Sequence, residues 1–333
     1  MSPENLKKMI GVGSPIVDLL ARVSEEFVAG IEGDKGGMEL VTPEQIEVLL
    51  AQLPSDPFIA PGGSAANTTF ALAKVGVPAA FLGKLGEDEL ATTYRDGFAN
   101  LGGDTSRFKS TGDAPTARCL SLVTPDSERT MRTELGAAAL MSPDEVTAGD
   151  FTGCGLAHIE GYLLFNPALA EKVLATAKEA GCTVSLDLGA FEVVRAAGDD
   201  LSRLLEQFVD IVYANEDEAE AFTGSKDPVA ALDALGKLCE VAAVKLGAEG
   251  AIIDGHGERV TIEPRKAEQV IDTTGAGDFW AAGFLYGYLH GLPLQTAGSI
   301  GSLFGAEVVQ HMGVDLEPEA WQRVQEELGR LKG

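Results

Sequence analysis

The chain has 333 residues, enough to bury a large core as one α/β domain with or without an appendage. Its 51 Asp and Glu against 25 Lys and Arg leave a formal charge of −26, which repels a phosphate backbone and argues against nucleic acid as a partner. No stretch approaches a membrane span, the run from Met9 to Leu20 is too interrupted for a signal peptide, and Cys119, Cys154, Cys182 and Cys239 form no C-x-x-C pair, so a cytoplasmic protein with buried thiols is expected.

Lys8–Val12 begins a strand, and Gly13-Ser14-Pro15 breaks it before Ile16-Val17-Asp18-Leu19-Leu20. From Ser24 to Pro57 the texture changes to short charged and glycine-rich pieces, with a helix expected over 43–53 behind a Thr42 cap and Pro at its first position. Pro61-Gly62-Gly63-Ser64-Ala65-Ala66-Asn67 then opens a helix that Gly76 stops. A strand over 80–85 and a helix over 88–101 follow. Arg118–Val123 and Arg129–Leu135 flank the turn Thr124-Pro125-Asp126-Ser127 and read as an antiparallel hairpin, an appendage to be joined with the 24–57 excursion.

Beyond Ser142 the rhythm is strand then helix. Strands are expected at 156–159, 183–188, 211–214 and 241–246, each followed by helical sequence, then a hairpin at 251–254 and 259–262 and helices over 276–290, 294–310 and 318–331. This alternation implies a mainly parallel sheet covered on both faces. Ligands collect at the carboxyl ends of such strands, where Asp18, Asp187, Asn215, Lys245 and Asp272 are expected to fall.

Several motifs can carry chemistry. Asp272-Thr273-Thr274-Gly275-Ala276-Gly277-Asp278 follows an apolar run ending in Val270-Ile271, read as a strand end, and leads into a helix. The first amides of that helix can nest an anion, and Asp278 beside them can take a proton from an attacking nucleophile; a tight turn with Asp278 as a cap is the plain alternative. Gly62-Gly63 with Asn67 is a second glycine-led helix start. Asn215 and Glu218, with Asp217 nearby, lie on one face of a helix start and suit a hydrated Mg²⁺, or equally a solvated acidic N-terminus. Lys245-Leu246-Gly247-Ala248-Glu249-Gly250 suits a nucleotide or a hairpin turn. The sequence contains no P-loop and no convincing G-x-G-x-x-G after a strand.

Together these motifs resemble the PfkB (ribokinase-like) family of carbohydrate and nucleoside kinases. Gly62 to Thr69, continuing to Gly76 and Gly86, is similar to the family's first signature, and Asp272 to Leu285 to its second. Gly13–Asp18, Glu128–Met131, Glu160–Leu164, and Ala306–Val309 followed by Gly313 most resemble the adenosine-kinase-like subgroup.

The resemblance implies a ribokinase-like three-layer α/β/α fold with a small antiparallel β lid. Residues 1–23, 58–111 and 136–333 would make the core, and 24–57 and 112–135 the lid. It implies Asp278 as base, Gly275, Ala276, Gly277 and Asp278 amides as an anion hole, and Arg129 closing over the transferred phosphate. Ser14, Asp18, Gly62, Gly63 and Asn67 would hold the acceptor, and Asn215, Lys245, Gly247 and Gly250 the ATP. Glu218 would act on Mg²⁺ through water, and Asp272 and Thr274, with the loop near Gly313, on a monovalent cation such as K⁺ in many members. Ser14 stands where adenosine kinases usually carry Asn, and Trp280 replaces a usual Phe. The expected activity is ATP-dependent phosphorylation of a primary hydroxyl on a sugar or nucleoside, by a monomer or homodimer. The alternative is a non-catalytic sugar- or nucleoside-binding protein on the same fold.

Overall fold

The computed structural model describes residues 6–126 and 128–331. Ser127 of the expected turn, and the ends of the outer core segments at 1–5 and 332–333, lie outside them.

The first part of the chain runs β1 (Lys8–Val12), β2 (Ile16–Arg22), α1 (Glu25–Ala29), β3 (Met38–Leu40), α2 (Pro43–Leu50), β4 (Phe58–Gly62), α3 (Ser64–Lys74), β5 (Ala79–Leu82), β6 (Lys84–Leu85), α4 (Glu89–Asn100), β7 (Lys109–Ser110), β8 (Ala117–Val123) and β9 (Arg129–Glu134). Then come β10 (Cys154–Glu160), α5 (Pro167–Glu179), β11 (Thr183–Asp187), α6 (Phe191–Ala197), α7 (Asp199–Phe208), β12 (Ile211–Asn215), α8 (Glu216–Thr223), α9 (Pro228–Leu235) and β13 (Val241–Lys245). β14 (Ala251–Gly255), β15 (Glu258–Ile262), α10 (Ala276–Leu289), α11 (Leu294–Val308) and α12 (Pro318–Leu331) complete it.

The large sheet has the order β15-β14-β13-β12-β11-β10-β1-β5; β14 runs antiparallel to both its neighbours, β13 and β15, and every other pairing is parallel. Successive strand residues point to opposite faces, and both faces are dry. Met9, Ile211, Tyr213, Val241 and Ala243 pack with α3, α10, α11 and α12. Ile10, Val212, Ala214, Ala242 and Val244 pack with α5, α7 and α9 on the other side. The α10–α11 crossing is close: a Cβ on Gly283 would lie 2.4 Å from Ile300 O, so only glycine fits there.

The smaller sheet has the order β3-β9-β8-β2-β4. β8 and β9 form the expected hairpin and β2–β4 is also antiparallel, while β2–β8 and β3–β9 are parallel. Residues 16–22 and 58–62, grouped with the core on sequence grounds, pair in this sheet. The reason is tertiary: Gly13-Ser14-Pro15 turns the chain out of the large sheet, and β4 finds its edge against β2. α2 carries the expected cap, with Thr42 and Gln45 exchanging a capping box behind Pro43.

The expected strand end at Val270-Ile271 is absent. Residues 263–275 form no strand; Val270 is exposed, and the amides of Ile271 and Asp272 donate to Val309 O at the end of α11. β15, an outer strand of the large sheet, ends at Ile262, so this apolar pair finds a helix terminus instead of a sheet neighbour. The helix over Phe191–Ala197 was not expected; its first residue follows Ala190, which offers no capping side chain.

Candidate active site

The helix α10 begins at Gly275, whose φ of +72° lies in the left-handed region, and a Cβ there would meet Val314 Cγ1 at 2.5 Å. The first helical hydrogen bond runs from Phe279 N to Gly275 O at 2.8 Å, so the amides of Gly277 and Asp278 precede the ladder. Asp278 sits in that first turn with both carboxylate oxygens held from α3. Ser64 Oγ donates to Oδ1 at 2.7 Å and Asn67 Nδ2 to Oδ2 at 2.8 Å, while Thr68 Oγ1 donates to the Asp278 carbonyl at 3.0 Å. An ionised carboxylate only accepts, so the Asn67 amide must turn its nitrogen to Asp278. That leaves Asn67 Oδ1 buried with no partner among the described residues. Burial pushes the Asp278 carboxyl up to about 6; the hydrogen bonds from Asn67 and Ser64 oppose this and the charge of Asp187 adds to it.

α3 is positioned by a contact missed at the sequence level. Gly63 starts it at φ +102°, where a Cβ would lie 2.2 Å from Ser14 O. Glu160, the last residue of β10 and 2% exposed, accepts from Ser14 N at 2.8 Å and from Ala65 N at 3.1 Å. It thereby ties the β1–β2 turn to the start of α3. Burial pushes its carboxyl up to about 7 against those two amides. The signal available was its place at the carboxyl end of a parallel strand. Ser14, expected near the acceptor, is thus bound to Glu160, and Gly62 O accepts from Tyr94 Oη at 2.9 Å.

Asp18 lies within β2 of the small sheet, beside Gly62 and facing Asp278, not at the end of a strand in the large sheet. Burial pushes it up to about 6; Arg129 opposes this, and Asp278 and Asp272 add to it. Arg129, at the start of β9, donates from Nη1 to Asp272 Oδ2 at 3.0 Å and from Nη2 to Ser121 Oγ at 2.7 Å. Asp272 also accepts from Thr274 N and Gly313 N, each at 2.9 Å.

On the large sheet, Lys245 closes β13 and donates to Asp187 Oδ2 at 2.7 Å. Its Nζ lies so near Gly277 that a Cβ there would stand 3.1 Å away. Burial alone would lower the Lys245 pKa, but the charges of Asp187, Glu218 and Asp278 outweigh it and hold the ammonium raised. Asp187 was placed at a strand end but given no role; it is the lysine's partner. Asn215 and Glu218 cap α8 reciprocally: Asn215 N and Nδ2 each donate to the carboxylate at 2.8 Å, and Glu218 N returns a bond to Asn215 Oδ1 at 2.9 Å. Burial, then the Asp187 charge, push Glu218 up to about 7. Gly247 and Gly250 form the short turn between β13 and β14.

Hydrogen bonds and mutual charge effects therefore join sequence-distant residues 18, 67, 160, 187, 218, 245 and 278 in one network centred on Asp278 and Lys245. Comparison with known proteins points the same way. Residues 44–321 match the description "pfkB family carbohydrate kinase". The fold is similar to a probable sugar kinase from Rhizobium etli, at 30% identity and TM-score 0.87 over 98% of this chain and 99% of that one. It is also similar to adenosine kinase from Sinorhizobium meliloti, at 31% identity and TM-score 0.86 over 97% and 99%. Adenosine kinase of Saccharomyces cerevisiae is 26% identical over 92% of this chain and 95% of its own length. The chain belongs to the pfkB family of carbohydrate kinases, phosphotransferases that act on an alcohol group.

Proposed function

We propose that the chain transfers the γ-phosphoryl group of ATP to a primary hydroxyl of a sugar or nucleoside, with Asp278 as the base. The observation that carries this reading is the Asp278 carboxylate, held on both oxygens by Ser64 and Asn67 in the first turn of α10. A base elevated to about 6 is still ionised at neutral pH and close enough to it to accept a proton effectively. Asp278 takes the hydroxyl proton as the acceptor oxygen bonds to the γ-phosphorus. The bond from that phosphorus to the β–γ bridging oxygen breaks, and ADP leaves with its electron pair. The Gly277 and Asp278 amides and the Lys245 ammonium stabilise charge on the transferring group. Asp18 and the unpartnered Asn67 Oδ1 accept from neighbouring hydroxyls of the acceptor ring. Gly62, Gly63 and Ser14 shape that end of the site, and Gly247 and Gly250 the nucleotide end.

Among the described residues no three acidic, His or Cys side chains cluster to wrap a metal. The carboxylates of Glu218 and Asp187 outnumber the single Lys245 ammonium beside them, so they suit a hydrated Mg²⁺ brought by the nucleotide. When bound, that ion would neutralise phosphate charge. The small sheet acts as a lid that excludes water from the transfer.

One observation favours a nucleoside over an unsubstituted sugar. Strand alternation puts Met38, Leu40, Phe58 and Met131 on the face of the small sheet that carries Asp18, and Met38, Leu40 and Phe58 are half or more exposed. Apolar side chains flanking a hydroxyl-binding carboxylate suit a flat base joined to a polyol ring. ADP release measured across nucleosides and free sugars tests both levels. Turnover with nucleosides supports the finer reading, turnover only with sugars removes it, and no ADP release with any acceptor supports a binding protein.

A further inference from the structure

Asp272 is joined to three separate parts of the molecule. It lies on the strandless segment before α10 and is 8% exposed. Its Oδ1 accepts from Thr274 N in its own loop, and its Oδ2 from Gly313 N, in the turn after α11, and from Arg129 Nη1 on the small sheet. The Arg129 side chain is 8% exposed and the Asp272 side chain 7%, and the second arm of the guanidinium is fixed on Ser121 Oγ.

A carboxylate at this depth needs a positive charge and donors for its lone pairs. Here both are supplied by the chain. An inorganic monovalent cation would need oxygens turned towards it, yet Thr274 and Gly313 present N–H groups to this carboxylate, and the guanidinium has taken the remaining charge. Three of the roughly four lone-pair sites of the Asp272 carboxylate are already taken by Thr274 N, Gly313 N and Arg129 Nη1, which leaves a potassium ion little of it to bind. The donor set therefore does not fit the ion that family resemblance assigns to Asp272 and Thr274.

We infer that the Arg129 guanidinium is the resident cation of the Asp272 loop, so that this protein holds the loop before its anion nest without potassium. Arg129 is then a positioning residue. It pins Asp272, which in turn holds Gly313 N, and the next residue, Val314, lies against Gly275. This inference concerns the loop itself and does not depend on which acceptor is phosphorylated.

The test compares melting temperature and ADP release in potassium chloride and in tetramethylammonium chloride at equal ionic strength, for the intact protein and for R129Q. The intact protein is expected to melt and turn over alike in both salts. R129Q is expected to melt lower by roughly 5 °C or more, the order set by removing one partner of a buried pair. Potassium, not tetramethylammonium, then raises the R129Q melting temperature. The double variant R129Q/D272N, which removes both charges, is expected to melt above R129Q and to lose the potassium response. A potassium-dependent rise in melting temperature or turnover of the intact protein overturns the inference. So does an R129Q protein that melts like the intact one and ignores potassium. If R129Q alone fails to fold, the intact protein's salt comparison and the double variant still decide the matter.

Discussion

Two helices in this protein start alike and end up with opposite tasks. α3 and α10 both begin on a left-handed glycine, Gly63 and Gly275, and in both the first helical bond returns to that glycine, from Asn67 N and from Phe279 N, each at 2.8 Å. In α3 the amide two residues after the glycine, Ala65 N, is spent on the buried Glu160 carboxylate. In α10 the corresponding amide, Gly277 N, faces no such acid; instead the Lys245 ammonium stands close by. One helix start contains its own anion, and the other sits beside a cation, the arrangement that the proposed phosphate role requires. The same glycine grammar thus meets an acid in one place and an ammonium in the other, and the difference lies in which strand-end side chain reaches it.

The largest effect expected from breaking this pair of roles is at Asp278. D278N keeps the shape, because Ser64 Oγ can accept from the new amide as readily as it donates to the carboxylate. Turnover should nevertheless fall roughly 10²–10⁴-fold, the usual range for losing a general base. Nucleotide binding, measured by calorimetry, should be retained. Near-normal ADP release by D278N would remove the proposed base and return Asp278 to the status of a helix cap.

A smaller effect is expected at Glu160, where the filled helix start can be opened. E160Q presents one carbonyl oxygen and one NH₂ group to two backbone N–H donors, Ser14 N and Ala65 N, so one of them loses its acceptor. An unsatisfied buried donor costs about 1–3 kcal/mol, to be read as a shift in the urea midpoint. Because Ser64 and Asn67 ride on α3, the acceptor KM should rise more than kcat falls. Unchanged stability in E160Q would mean that α3 needs no resident anion, and the contrast with α10 would lose its physical basis.

Much of this architecture was legible from residues alone. Apolar runs ending in Asp187, Asn215 and Lys245 marked strands buried on both faces, and the β8–β9 hairpin and the Thr42 cap followed from local chemistry. What escaped was set by tertiary pairing. Val270-Ile271 has strand composition but no sheet neighbour, and β2 and β4 give no local sign of which sheet they join. Asp187 was visible as a strand-end acid, whereas Glu160, the residue after the expected strand 156–159, was not singled out as one. Their partners, two backbone amides and one lysine, come from segments 58 to 146 residues away, and no local pattern encodes such a meeting. The same holds for the Arg129–Asp272 ion pair, which joins residues 143 positions apart.

The finest test of the comparison uses pH, since the two helix starts meet at the Asp278 carboxylate. Its pKa of about 6, raised from 3.8, has consequences of opposite sign for activity and for stability. As a base Asp278 must be ionised, so turnover should fall about tenfold per pH unit below pH 6. For stability, an acid whose folded pKa is raised favours folding in its protonated form. That contribution is fully present below 3.8 and lost as pH rises through about 6. Asp18, also at about 6, and Glu160 and Glu218, at about 7, act in the same sense, so acidifying from pH 8 to 5 should strengthen these contributions while it cuts turnover about tenfold. Ser64 couples the two helices here, because its hydroxyl from α3 stabilises the ionised form of Asp278. Replacing it with Ala removes about 1 kcal/mol of that preference, less than one pH unit. S64A should therefore keep turnover near normal at pH 8 and move the acid limb of its pH–rate profile upward by about 0.7 of a unit. An unmoved limb would mean that α3 places Asp278 without tuning it, and the serine would be only a spacer.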